Sequence, residues 1–337
     1  MPSTGVPVIQ TRGLTKRYGS GVLAVDRLDL AVERGEVHGF LGPNGAGKTT
    51  TLRMLLGLIR PTAGTASVAG HPAGDPRALA RVGSMVEDAV FYPHLSGRDN
   101  LRVVARCCGL DEAAVERGLR WVGLEPAAHY RFKAYSTGMR QRLGLAAALI
   151  KDPEVLILDE PSNGLDPEGM VWLRQLLRGF AQERAVLISS HLLAEAEQVC
   201  DRVAIIQSGR LIHDGPVSSL RSGGTRLEVE AAPLEAAALV VERMLGPAAV
   251  SLEEGRLLVA VASERAAEIN RALVMAGVEV SGLQRRGASL EEAFLRLTAE
   301  TAAAPPQGAP GGAEPPGGGP AGAEPGAKPA PTPGSGS

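Results

Sequence analysis

Gly42-Pro43-Asn44-Gly45-Ala46-Gly47-Lys48-Thr49 stands between the short apolar run Glu36-Val37-His38-Gly39-Phe40-Leu41 and a segment of helical periodicity from Lys48 to Leu58. The spacing Gly-x-x-x-x-Gly-Lys-Thr predicts a strand, a loop and a helix in succession. Glycine amides and the helix N-terminus would face phosphate groups, with Lys48 on the outer phosphates, Thr49 on magnesium and Thr50 bordering the same groups. A glycine-rich turn that merely capped a helix would need neither the lysine nor the hydroxyl.

A phosphate loop requires an acid to hold the metal and a group to activate water, and Val155-Leu156-Ile157-Leu158-Asp159-Glu160-Pro161 supplies both at the end of an apolar strand. Asp159 would hold magnesium through water, and Glu160 would orient or deprotonate the attacking water. Taken alone, the pair could be ordinary charge at a solvated strand end. Ala185 to Ser189 and Arg202 to Ile206 are two further apolar runs, and helical stretches separate all three. That is the pattern of a parallel sheet with buried strands.

Upstream, Val8 to Arg12 and Leu23 to Val32 carry apolar residues at strand spacing and predict an antiparallel pair. From about 88 to 152 the texture is helical, with Leu101, Val104, Ala105 and Cys108 on one face and Ala113 to Val122 in a second segment. Past Gly223-Gly224, strand-like Leu227 to Glu230, helical Leu234 to Leu245, strand-like Arg256 to Val261 and helical Glu264 to Ala276 form an approximate β-α-β-α repeat. The fold class is therefore α/β: a phosphate-loop core (1–222) with an antiparallel β subdomain and a helical insertion, then a small α+β accessory domain (223–300). The Pro/Gly/Ala-rich stretch 301–337 has too few apolar groups to offset chain entropy and is expected to be a disordered tail.

Composition sets the outer limits. With 337 residues the chain can bury a large core, and its formal charge of -2 offers no extended basic face for nucleic acid or anionic lipid. Cys107, Cys108 and Cys200 show no metal-ligand spacing, which suits a reducing cytosol. Met1-Pro2-Ser3-Thr4-Gly5 does not read as a signal peptide, and the best apolar run, Leu143 to Ile150, is far short of the roughly 20 residues a spanning helix needs. Any membrane role would come through another chain.

Tyr135-Ser136-Thr137-Gly138-Met139-Arg140-Gln141 precedes the apolar helix Leu143 to Leu149 and could be a plain helix cap. It also resembles the signature of ATP-binding-cassette proteins, with Ser136 and Gly138 retained and Tyr135, Thr137 and Met139 replacing commoner residues. Other parts of that family's pattern follow in order from Val8 to Leu220. Tyr18 resembles the aromatic that stacks on adenine; a surface turn tyrosine beside Gly19 is the alternative. Ser162-Asn163-Gly164-Leu165-Asp166 resembles the loop that meets the opposite subunit, and His191 the switch histidine on the γ-phosphate. The resemblance implies ATP and Mg2+ as ligands and a head-to-tail pair of identical subunits, in which Ser136 and Gly138 of one subunit complete the other's site.

Glu87, in Val82-Gly83-Ser84-Met85-Val86-Glu87-Asp88, stands where family members usually place a glutamine that meets magnesium, water and the transport partner. A carboxylate can hold metal or water but cannot donate as an amide does; a loop acid without a role is the alternative. The continuation Phe91-Tyr92-Pro93-His94-Leu95-Ser96-Gly97 resembles the bacitracin, lantibiotic and daunorubicin exporter ATPases, and Ser289 to Leu297 resembles the last helix of their accessory domain. The implied role is the ATPase of a two-component exporter, on the inner face of the membrane beside a separately encoded permease. Coupling to nucleic acid or ribosomes, or a slow regulatory sensor, are the alternatives; the first lacks basic extensions, and intact Lys48, Asp159, Glu160 and His191 argue against the second. The cargo is left open between drug, peptide and lipid.

Overall fold

The computed structural model describes residues 7–19, 21–86, 90–221, 226–253, 255–261, 265–286, 291 and 294. Glu87 and the 301–337 stretch lie outside the described residues, as does most of 289–297.

The loop emerges from a six-stranded sheet in the order Arg210–Pro216, Arg202–Gln207, Glu36–Leu41, Ala185–Ser190, Val155–Asp159, Val82–Met85. All neighbours run parallel except the edge strand Arg210–Pro216. Alternation assigns successive side chains to opposite faces. Leu156, Leu158, Val186 and Ile188 join one core cluster with the helices of the 97–149 region and Pro167–Ala181. Val155, Ile157, Leu187 and Phe40 join another with the helix Lys48–Leu55 and the N-terminal strands. Every residue of Val155–Asp159 and Ala185–Ser190 is buried, as expected of strands covered on both faces.

The N-terminal sheet is built around Ile9–Arg17. It pairs antiparallel with Leu23–Leu28 on one side and with Ala63–Val68 on the other. The predicted pair is therefore present, extended by Ala31–Val32, Ala63–Val68 and His71–Pro72. Thr11 is a polar residue in this core, and its hydroxyl is satisfied by donating to Leu28 O and accepting from Leu30 N, both at 2.8 Å.

In the 88–152 region the described helices are Gly97–Cys107, Glu112–Trp121 and Thr137–Leu149, with a short 3-10 turn at Phe132–Ala134. Each of the three helices is capped by its own side chain: Ser96, Asp111 and Ser136 accept from Asp99 N, Ala114 N and Met139 N. Leu101 and Ala105 are buried, whereas Cys108 closes the first helix exposed.

Beyond residue 225, the strands stand in the order Val250–Glu253, Arg256–Ala260, Arg226–Ala232, Glu279–Arg286, all antiparallel. Helices Leu234–Leu245 and Ala266–Met275 bury Ala237, Val241, Ile269 and Leu273 against Leu227, Val229, Leu257 and Val259. The chain order is thus strand, helix, strand, strand, helix, strand, the split β-α-β arrangement. The β-α-β-α reading missed two strands for physical reasons. Val250–Glu253 has only four residues, and Glu279–Arg286 carries an extra residue, Ser281, between Val280 opposite Ala231 and Gly282 opposite Glu230, which blurs the period of two. Phe294 packs against the larger cluster of the parallel-sheet core.

Candidate active site

Three parallel strands end side by side. Leu41 runs into the glycine loop, Asp159 into Glu160-Pro161, and Ser190 into His191, with Leu41 in register with Ser190 and Asp159 with Ser189. This is the C-terminal edge of an α/β sheet, where ligands bind in such folds.

The loop is fixed from both sides. Gly42 N donates to Ser190 O at 3.3 Å, and Gly209 N donates to Ala46 O at 3.0 Å. Gly47 adopts φ +109, and a Cβ there would fall 2.4 Å from Ala24 O; one at Gly42 would fall 2.3 Å from Ile206 O. No other residue type fits either place. Pro43, Asn44 and Gly45 are exposed, and among the described residues the amides of Gly45 and Gly47 have no acceptor. Free amides at a helix start above a buried lysine fit an anion.

Lys48 is 6% exposed and donates from Nζ to Gly42 O at 2.7 Å and Pro43 O at 3.4 Å. The same nitrogen lies 3.4 Å from Glu160 Oε1. Glu160 Oε2 lies 2.7 Å from His191 Nδ1, so one carboxylate bridges the loop lysine and the histidine. Thr49 Oγ1 donates to Asp159 Oδ2 at 2.7 Å, and Thr50 follows it in the same helix. A hydroxyl and a carboxylate so placed are hard oxygen donors of the kind Mg2+ takes alongside phosphate oxygens and water.

Ser189 is a member of this cluster that the sequence reading did not single out. Its hydroxyl donates to Asp159 Oδ1 and accepts from Glu160 N at 3.0 Å. The signal was available as a hydroxyl where an otherwise apolar strand ends. Glu160 itself sits at φ +49, an unfavourable region for a residue with a side chain that costs about 1–3 kcal/mol. The Ser189 bond and the Asn163 N to Glu160 O bond at 3.1 Å hold it there.

The remaining sequence candidates are more peripheral. Ser136 is exposed and caps its helix, with Gly138 close behind. This helix meets the acidic strand end through Gln141 Nε2, which donates to Pro161 O at 2.9 Å. Asp166 is exposed and caps Pro167–Ala181 by accepting from Gly169 N at 2.8 Å. Tyr18 is 40% exposed in the hairpin turn, with Lys16 Nζ 5.3 Å from its ring centre. It connects to the loop through the next strand, whose Ala24 abuts Gly47. A cleft of about 730 Å³ is lined by Gln10, Arg12, Arg60 and His71 among others and includes none of these residues. Pro43, Asn44 and Gly45 form the exposed rim of the loop, over the buried Ala46, Gly47 and Lys48.

The profile of the ABC transporter family matches residues 25–163, a span that contains the loop, the signature and the paired acids. The bacitracin transport ATP-binding protein BcrA of Bacillus licheniformis is 39% identical over 297 residues, 86% of this chain and 97% of that protein. The chain belongs to the ABC transporter family. Like its relatives it is an ATP-binding subunit and an ATPase, homologous to those of antibiotic and drug exporters. The daunorubicin resistance ATP-binding protein DrrA3 of Streptomyces coeruleorubidus is 39% identical over 311 residues, 87% of this chain and 96% of that one. A solved ATP-binding subunit of an ABC transporter matches with a TM-score of 0.61 at 26% identity, over 86% of this chain and 99% of that chain. Among the described residues, no helix is long and apolar enough to cross a membrane.

Proposed function

We propose that the chain drives efflux of a drug, antibiotic, peptide or lipid through a separately encoded permease, working as one of two identical ATPase subunits at the inner membrane face. Relatedness to BcrA and DrrA3 carries the efflux reading, and the bridging of Lys48 and His191 by Glu160 supports ATP hydrolysis, because it places a cation, a base and an imidazole around one point. Residues 1–222 would form the nucleotide-binding domain, with the insertion at 88–152, and 223–300 the accessory domain. The names of BcrA and DrrA3 support the cargo class, and the exposure of Pro43, Asn44 and Gly45 supports a second subunit as the loop's cover.

In this reading the amides of 42–49 and Lys48 bind the phosphates, and Tyr18 faces adenine. Thr49 and Asp159 would hold Mg2+, and the family resemblance adds Glu87 to that role; the ion, when bound, would offset charge on the phosphate oxygens. Glu160 accepts the proton of the attacking water, and His191 donates to the γ-phosphate. Ser136 and Gly138 of the second subunit close the site from above, and Asp166 fixes the loop between the subunits.

Glu160→Gln keeps shape and hydrogen bonding but cannot take the proton. ATP binding should persist, a nucleotide-trapped dimer should appear by size-exclusion chromatography, and turnover should fall by about 10²-fold or more. Unchanged turnover would remove Glu160 as the base. Glu87→Gln tests the proposed metal and partner role, which is lost if partner-stimulated ATPase and transport are unaffected.

A further inference from the structure

The segment 91–97 and the segment 127–135 are closely joined. Phe132 N donates to Leu95 O at 2.8 Å, Lys133 N to Pro93 O at 3.1 Å, Gly97 N to Tyr130 O at 3.1 Å and Arg98 N to Ala128 O at 2.9 Å. Phe91 meets Phe132 edge-on at 5.2 Å, and Phe132 meets Tyr135 at 5.8 Å. Tyr135 ends this run and immediately precedes Ser136.

Tyr135 is 3% exposed, and its hydroxyl donates to Ala127 O at 2.9 Å. Burial pushes the phenol above its ordinary pKa, so it remains a donor. A Cβ on Gly97 would stand 1.9 Å from the Tyr135 oxygen and 2.7 Å from Cζ, so the ring occupies the space a side chain at 97 would fill. Both partners are held: Gly97 begins the helix capped by Ser96, and Tyr135 N donates to Phe132 O at 3.0 Å. Just before Gly97, Tyr92, Pro93 and His94 are exposed.

We propose that Tyr135 is a positioning residue for the half-site: its ring and hydroxyl, seated on Gly97, set where Ser136 and Gly138 stand and pass displacement of the exposed 92–94 surface on to them. The inference rests on Ser136 serving a second subunit's nucleotide. A glycine at 97 and an aromatic at 135 form one fitted pair, so each tolerates change only if the other changes too.

The test uses the full chain with Gly97→Ala, Tyr135→Leu, the double variant, Tyr135→Phe and Ser136→Ala, measuring kcat, the ATP dependence of turnover and binding of a fluorescent ATP analogue. Gly97→Ala should lower kcat about tenfold with nucleotide affinity within about twofold, because the phosphate loop is untouched. The double variant should recover to within about threefold of the parent, a non-additive result for residues in contact. Tyr135→Phe keeps the ring and should lower kcat about threefold through its one lost hydrogen bond, which serves if Gly97→Ala fails to fold. Additive losses in the double variant, or parental kcat in Tyr135→Phe, would overturn the pairing. Parental turnover in Ser136→Ala would instead sink the two-subunit reading, and with it this inference.

Discussion

Glu160 Oε2 and His191 Nδ1 lie 2.7 Å apart at the ends of two adjacent parallel strands, and Glu160 Oε1 lies 3.4 Å from Lys48 Nζ. The carboxylate is thus held at both oxygens by groups on two other segments. His191→Ala removes one of them while leaving the loop and Thr49–Asp159 intact. Turnover should fall by about 10²–10³-fold, as for loss of a donor that faces developing charge. Single-turnover kinetics should show the loss in the chemical step, with ATP affinity unchanged.

Ser189→Ala removes a hydroxyl that serves two masters, the Asp159 carboxylate and the Glu160 amide. Both are left without that partner in a buried place, at a cost of about 1–3 kcal/mol. Urea titration should show the lowered stability. A magnesium titration of the ATPase should shift to higher concentration, since Asp159 loses the donor that orients it.

Gly47→Ala meets two obstacles at once, φ +109 and a 2.4 Å approach to Ala24 O. The loop must shift, so ATP affinity should fall about tenfold or more, equivalent to about 1.4 kcal/mol. Equilibrium binding of a fluorescent nucleotide is the measurement; a parental affinity would contradict the fixed-loop geometry.

A pH effect follows from Glu36, at the start of the strand that leads to the loop. Burial pushes its carboxyl up, but the hydrogen bond with His38, the Glu33 amide and the charges of His38 and Arg202 outweigh this and leave it below its ordinary value. The unfolded chain therefore takes up this proton first as pH falls. The stabilisation is complete above the unfolded carboxylate range of about 4.3 and is lost as pH falls through the lower folded value. Glu36→Gln should melt below the parent at pH 7, and the gap should close as pH falls below about 4. Melting curves across that range decide it.

Much of the site was legible because a phosphate loop has a rigid spacing, and because acids at the end of an apolar strand stand out. Asp159, Glu160 and His191 could be read singly, and the parallel sheet brings them together. Ser189 showed its hydroxyl at the end of an apolar strand, but its partners, Asp159 and Glu160, lie on the neighbouring strand and are set only by the register. The same holds for Tyr135 with Gly97, residues 38 positions apart whose fit exists only after the insertion folds. In the sheet beyond residue 225, a register shift hid one strand and brevity hid another.

The bonds from Gly42 to Ser190 and from Gly209 to Ala46, with Gly47 seated on Ala24, tie the glycine loop to three different strands or turns. A loop anchored in this way is the datum of the machine. Displacements that accompany turnover should be borne by the 97–149 helices, while the loop keeps its place within the sheet.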